Sequence, residues 1–126
     1  MKVNTFEELD IYKRARELTK EIYTLTKYKE FSRDYGLKDQ IQRSAVSIMS
    51  NIAEGFERKS NIEFMRFLFI AKDSCAEVRA QLTVALDQQY TDNTVYANLY
   101  ADCKSISSMI SSLIKYLSKS TKERTI

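Results

Sequence analysis

The scarcity of helix-breaking residues is the feature that most constrains this chain. Its 126 residues include no proline and only two glycines, Gly36 and Gly55. Proline clashes in a helix interior, and glycine costs about 1 kcal/mol there relative to alanine. No long stretch alternates apolar and polar residues as a strand would. The sequence therefore predicts an all-α fold built from long helices.

Four segments repeat apolar residues at alternating steps of four and three, which places them on one helix face. In the first segment these residues are Ile11, Ala15, Leu18, Ile22 and Leu25. The pattern predicts a single domain with helices over about 6–28, 37–58, 61–90 and 94–119, a connecting loop over 31–36 and a short basic C-terminal tail. The 4-3 spacing and short connections favour an antiparallel up-down-up-down four-helix bundle.

Two residue pairs have the spacing of capping boxes at helix starts. They are Thr5 with Glu8 and Ser60 with Glu63. In a capping box, the hydroxyl accepts a hydrogen bond from the backbone N–H three residues later. We therefore expect the first helix to begin near Phe6 and the third near Asn61.

The residues needed for most catalytic sites are missing from the sequence. The chain has no histidine, which removes the usual general base and the imidazole metal ligand. Cys75 and Cys103 fall on core faces, about 9 Å apart along the bundle axis, which exceeds disulfide reach. We expect a non-enzymatic protein with no metal or cofactor. A hydrolase built on paired carboxylates is the least favoured class, because nothing marks such a pair.

The N-terminus lacks the apolar core of a signal peptide. No stretch approaches the roughly 20 apolar residues that a membrane span requires. We therefore expect a cytoplasmic protein that does not contact a membrane.

The formal net charge is +3, from 20 basic and 17 acidic side chains, and it is unevenly distributed. Four basic residues gather near the C-terminal end: Lys115, Lys119, Lys122 and Arg124. They can be interpreted as a solvated end that complements the last helix dipole, or as contacts to phosphates. The sequence leaves both interpretations open.

A polar stripe runs beside the apolar stripe of the second helix. Its members are Gln40, Ser44, Ser47, Asn51, Glu54 and Arg58. One interpretation is a partly buried hydrogen-bond network between helices that ends at Gly55, where a second backbone can approach closely. The alternative is a polar ligand or RNA site centred on Arg43, Asn51 and Glu54.

The third helix is apolar on more than its inner face. Residues 64–71 contain one charge, and four apolar residues near them point away from the core: Ile62, Met65, Phe69 and Ile70. Exposed apolar patches of this kind usually mark interfaces, so we expect self-association through them. The alternative is an N-terminal segment or a loop that folds over this surface.

Residues 35–55 read YGLKDQIQRSAVSIMSNIAEG, and residues 63–71 read EFMRFLFIA. These stretches resemble the four-helix bundle proteins encoded by intervening sequences within bacterial 23S ribosomal RNA genes. The residues that carry the signature are Gln40, Arg43, Ser47, Asn51, Glu54 and Gly55. One departure is Met49, where the family more often has proline; its absence leaves the second helix unkinked.

The resemblance implies a bundle that assembles into a ring, a pentamer. It also implies kinship with the accessory variability protein of diversity-generating retroelements, which partners with a reverse transcriptase and nucleic acid. No catalytic residues come with the family. The predicted function is non-enzymatic, homo-oligomeric nucleic-acid binding, with RNA favoured over DNA and contacts mainly to phosphates.

The predicted contact residues are Arg43, Arg58, Lys59, Lys115, Lys119, Lys122 and Arg124. Arg43 has an alternative interpretation as a buried structural arginine. The alternative function is an oligomeric scaffold that binds a partner protein and makes no contact with nucleic acid.

Overall fold

The structure is a computed structural model that describes residues 2–119. It contains four α-helices: α1 (Asp10–Thr26), α2 (Tyr35–Phe56), α3 (Asn61–Asp87) and α4 (Asn93–Leu117). Short 3-10 turns lie at Phe6–Glu8 and Lys29–Arg33, and no strand occurs within residues 2–119. The predicted all-α class is confirmed.

The helices pack as a closed bundle. Each helix contacts the next one along the chain, and α4 returns to contact α1. Short connections make successive helices antiparallel, which gives the predicted up-down-up-down arrangement. The 4-3 residues of α1, from Ile11 to Leu25, are all buried, and so are those that the same spacing gives in α2, from Ile41 to Ile52, and in α3, from Phe64 to Ala85. In α4 the spacing gives Leu99 to Leu117, of which Leu113 is half-buried but packs against the core. The inner faces were therefore predicted correctly.

Cys75 and Cys103 are buried in this core as predicted, and both are free thiols. Burial raises the pKa of Cys75 to about 11 and that of Cys103 to about 12. Both side chains therefore stay protonated near neutral pH and pack as small apolar groups.

The start of α1 differs from the prediction. Thr5 makes no capping bond to the backbone; the Glu8 carboxylate instead accepts the Asn4 N–H at 3.3 Å. Leu9 is extended, with φ −72° and ψ 131°, and its side chain is buried. The chain leaves the helical path to insert Leu9 into the core, so the predicted helix start near Phe6 is wrong. At α3 the capping prediction is confirmed, because Ser60 Oγ accepts the Glu63 N–H at 3.2 Å.

The segment predicted as a loop over 31–36 is largely ordered into helical turns. Phe31 is fully buried within a 3-10 turn, and α2 begins two residues early, at Tyr35. Asp34 caps α2 by accepting the Leu37 N–H at 3.1 Å. Its other carboxylate oxygen accepts the Tyr90 hydroxyl at 2.9 Å, while the Tyr90 ring stacks on Phe31 with centroids 5.0 Å apart. These contacts join the α1–α2 and α3–α4 connections at one end of the bundle.

The end of α3 lies at Asp87, three residues earlier than predicted. Gln89 has a positive φ of 63°, which no continuing α-helix can contain. Its N–H bonds to Leu86 O at 2.9 Å, and the Tyr90 N–H bonds to Ala85 O at 2.8 Å. This pair of bonds is a Schellman cap, and it ends the helix.

Candidate nucleic-acid interface and protein-binding surfaces

Several of the predicted phosphate contacts share one end of the bundle. The end of α2, the start of α3 and the end of α4 meet there, since the Asn61 amide donates to Leu117 O at 3.4 Å. We define the basic end as Arg58, Lys59, Lys115 and Lys119, all of which are exposed. Lys122 and Arg124, also predicted, lie outside the described residues.

The cations of the basic end differ in their neighbours. The Arg58 guanidinium lies 3.8 Å from the Glu63 carboxylate and 4.9 Å from the centroid of the Phe67 ring. Among residues 2–119, the three lysines of the basic end make no ion pair within 4.0 Å. Their ammonium groups are therefore the cations most available to an incoming phosphate.

Arg43 does not belong to the basic end. It lies about 22 Å from Arg58 along the α2 axis at the usual helical rise. Its guanidinium is exposed and donates to the Asp39 carboxylate at 2.8 Å, one turn earlier. The alternative interpretation of Arg43 as a buried structural arginine is therefore wrong. A single subunit does not bring Arg43 together with the other predicted contacts.

The polar stripe of α2 forms a hydrogen-bond network with α3. The Asn51 amide donates to the Ser47 carbonyl at 2.8 Å and to the Ser47 hydroxyl at 3.0 Å. The buried Ser74 of α3 donates to that same hydroxyl at 2.9 Å. These bonds support the interpretation of the stripe as a hydrogen-bond network between helices, because the Asn51 amide already donates within the protein. Gln40, Arg43 and Glu54 of the signature are exposed on its outer side.

Gly55 allows α2 and α3 to approach closely at the end of this network. It is buried, and a Cβ added there would lie 2.7 Å from the Phe67 Cβ and 2.9 Å from the Phe64 Cδ1. Such distances are closer than packed carbon atoms allow. The φ of Gly55 is not positive, so its backbone conformation does not require glycine. The position requires glycine because a side chain has no space there.

The apolar residues predicted for self-association are mostly uncovered. Ile62, Phe69 and Ile70 keep 49%, 54% and 43% of their surface, whereas Met65 is half-buried and packs against the core. The N-terminal turn packs on α1 and α2. Within residues 2–119, therefore, no segment folds over these three side chains.

These exposed residues lie on two different sides of α3. Ile62 and Phe69 share a heptad position with Thr83, whose hydroxyl is 3.0 Å from the Tyr96 hydroxyl of α4. Ile70 lies one turn before Ser74, which bonds to α2. The helical spacing already places Ile70 on the other side of α3 from Ile62 and Phe69. The structure agrees, with Ile62 and Phe69 on the side nearer α4 and Ile70 on the side nearer α2.

A groove between α1 and α4 was missed from the sequence. It has a volume of about 360 Å³, and its floor is formed by Leu25, Leu99, Val95 and Tyr28. Glu17, Lys20 and Glu21 stand on its α1 rim. Partial desolvation, together with the nearby Asp102 and Glu17 carboxylates, raises the pKa of Glu21, although its side chain remains exposed.

Two kinds of feature are absent from residues 2–119. None of their helices combines the length and apolarity required to cross a lipid bilayer. Within residues 2–119, no three or more histidine, cysteine, aspartate or glutamate side chains are grouped to hold a metal ion.

Comparison with known proteins gives a family and a fold. A family model described as 23S rRNA-intervening sequence protein matches residues 7–112. The fold is similar to the crystal structure of a protein of unknown function from the S23 ribosomal protein family of Bacteroides thetaiotaomicron, with a TM-score of 0.77 and 24% identity. The match covers 83% of this chain and 98% of the other. No curated protein matches the chain.

Proposed function

The chain belongs to the 23S rRNA-intervening sequence protein family, and we propose that it is a non-enzymatic, homo-oligomeric nucleic-acid-binding protein of the cytoplasm. RNA is favoured over DNA, and phosphates are the main contact. The observation that carries the proposal is the basic end, where three lysines without ion pairs stand together on a bundle that leaves apolar side chains of α3 uncovered.

Self-association is supported by the two apolar patches of α3. A head-to-tail interface joins two different surfaces, and it closes into a ring when the rotation between subunits permits. Ile62 and Phe69 on one side of α3, with Ile70 on the other, provide two such surfaces. We propose a pentameric ring. It would multiply the formal charge of +3 fivefold and place several basic ends close together.

Light scattering coupled to size-exclusion chromatography tests the oligomer. We expect a mass of several subunits for the natural chain. Phe69→Asp should shift the mass towards the monomer, because it buries a charge in the interface. Ser108→Asp, which adds the same charge at an exposed position of α4, is the control. A natural chain that remains monomeric at micromolar concentration would exclude the ring.

Binding to a single-stranded RNA oligonucleotide across a salt series tests the phosphate contacts. Affinity should fall steeply with salt, and each lysine lost from a single-strand phosphate contact should reduce the logarithmic slope by about 0.7. The test variant is Lys59→Gln/Lys119→Gln. The matched control is Lys27→Gln/Lys104→Gln, which removes the same charge from exposed positions away from the basic end. Equal slopes for both variants would refute the assignment of the basic end.

The second candidate function is an oligomeric protein-interaction scaffold. It is favoured by the exposed Glu57 and half-buried Glu63, which accompany the cations of the basic end and weaken its positive potential. RNA binding that is undetectable even at low salt, in a protein that still forms oligomers, would select the scaffold.

A further inference from the structure

We propose that the α1–α4 groove binds a basic amphipathic helix of a partner protein. Such binding goes beyond the proposed nucleic-acid function and does not depend on it. The inference follows from the apolar floor of the groove, the charge of its rim and its length.

The floor offers apolar surface that the bundle does not cover. Leu25 and Leu99 are almost fully buried at its base, while Val95 and Tyr28 keep 38% and 61% of their surface. The groove lies where α1 and α4 close the bundle, so its walls are two neighbouring antiparallel helices. A third helix can pack into the groove between two others by the same ridge-into-groove contacts that hold the bundle. Aliphatic side chains of the partner would meet this floor.

The rim carries negative charge that is not neutralised. Lys20 lies 3.4 Å from Glu17, whereas Glu21 makes no ion pair among the described residues. Asp102 of α4 does not line the groove, but it is near enough for its negative charge to help raise the pKa of Glu21. The charged groups that line the groove are therefore two glutamates and one lysine, and Glu21 keeps a negative charge that the Lys20–Glu17 pair does not offset. That charge would repel the phosphates of a nucleic acid and attract lysine or arginine beside the partner's apolar face.

The length of the groove suits a short helix. Its α1 wall runs from Glu17 to Leu25, about 12 Å at the helical rise, or a little over two turns. A ligand of that length would place aliphatic residues at positions i, i+3 or i+4, and i+7. The groove also lies towards the end of the bundle opposite the basic end, because it uses the last turns of α1 and the first turns of α4.

Fluorescence anisotropy of the full chain with a defined probe tests the inference. The probe is a fluorescein-labelled peptide of about 14 residues, composed of leucine and lysine at the spacing of an amphipathic helix. We expect saturable binding of one peptide per subunit. A second peptide with glutamate in place of lysine should not bind. Equal binding of the two peptides would overturn the role assigned to the rim.

Two variants and their matched controls locate the site. Tyr28→Ser/Val95→Ser removes exposed floor, and Glu21→Gln/Asp102→Asn removes negative charge at and near the rim; we expect each to weaken lysine-peptide binding about tenfold. The controls are Tyr35→Ser/Val84→Ser and Glu77→Gln/Asp87→Asn, which make the same kinds of change at exposed positions outside the groove. Weakening by controls and groove variants alike would show non-specific attraction and overturn the site.

Two further measurements distinguish a partner helix in the groove from a second copy of the chain or an RNA. Loss of the natural oligomer in Tyr28→Ser/Val95→Ser would show that a second copy of the chain fills the groove, which also overturns the proposal. RNA affinity should be unchanged in the groove variants. A failure of RNA binding in the natural chain would leave the peptide result standing, so the two proposals fail independently.

Discussion

Replacing the two glycines of α2 by alanine should have opposite effects on stability. Both residues are helical, so alanine gains helix propensity at either position. At Gly55 the added Cβ meets the Phe67 Cβ at 2.7 Å, the Phe64 Cδ1 at 2.9 Å and the Phe64 carbonyl oxygen at 3.3 Å. At Gly36 the nearest atom is Asp34 Oδ1, at an ordinary 3.9 Å. The two sites therefore differ in space and hardly at all in backbone conformation.

The gain in helix propensity and the cost of overpacking together decide whether each variant is more or less stable. Alanine in a helix is worth up to about 1 kcal/mol over glycine, and Gly36→Ala should stabilise the protein by about 0.4–1 kcal/mol. Overpacking of a well-filled contact costs about 1–3 kcal/mol. The Phe67 Cβ at 2.7 Å is fixed to its own backbone, and the Phe64 carbonyl oxygen is already in tight contact at 3.3 Å, so α2 and α3 must separate to relieve the clash. Gly55→Ala should then be destabilised by up to about 2 kcal/mol, after the propensity gain is subtracted.

Urea unfolding followed by far-ultraviolet circular dichroism measures both variants. Protein concentration must be equal in all samples, because self-association makes apparent stability depend on it. We expect the midpoint to rise for Gly36→Ala and to fall for Gly55→Ala, with similar slopes. If Gly55→Ala proves as stable as Gly36→Ala, the close α2–α3 contact inferred at the signature glycine is wrong.

Three further changes test the local structure, each by the same urea assay. Ser74→Ala removes the bond to Ser47 and should cost about 1 kcal/mol, whereas Ser108→Ala on the exposed side of α4 should cost almost nothing. Gln89→Gly should stabilise by about 0.5–1 kcal/mol, since glycine tolerates the positive φ of the α3 cap; a loss of stability would contradict the cap. Glu21→Gln should raise the midpoint at pH 7, because a raised carboxyl pKa means that the folded state disfavours the charged form. That gain should vanish as the pH falls through the folded-state pKa of Glu21, where the carboxyl is protonated, and a gain that persists in acid would contradict the assignment.

The inner face of each helix could be predicted from sequence because one periodic signal decides it. Leu18 or Ile48 must be buried wherever the helix begins, since the 4-3 spacing fixes the face. Helix ends depend on contacts that the spacing does not encode. Leu9 departs from the helix in order to enter the core, and Asp34 caps α2 although it lies in a stretch that resembled a loop. Its bond to Tyr90 joins residues far apart in the sequence, so no local pattern announces it.

The candidate site was less predictable than the fold, and for two different reasons. The exposed pairing of Arg43 with Asp39 has an i,i+4 spacing, so the sequence contained that signal and the interpretation overlooked it. The α1–α4 groove has no sequence signal of this kind. Tyr28 and Val95 are unremarkable one by one, and they form a floor only because α1 and α4 lie side by side.

The bundle separates the three surfaces for which we propose binding, and this separation leads to a last prediction. The basic end and the α1–α4 groove lie towards opposite ends, while the apolar patches of α3 lie on its sides. In a ring with cyclic symmetry every subunit is inclined in the same way to the symmetry axis, so all basic ends occupy equivalent positions and so do all grooves. A bound RNA and a bound basic helix would then occupy different regions of the assembly. Adding saturating RNA should leave the affinity for the leucine–lysine peptide unchanged once direct attraction between peptide and RNA is suppressed by moderate salt. Displacement of the peptide by RNA at that salt would mean that both ligands meet the same surface, and the assignment of opposite charges to opposite ends would then be untenable.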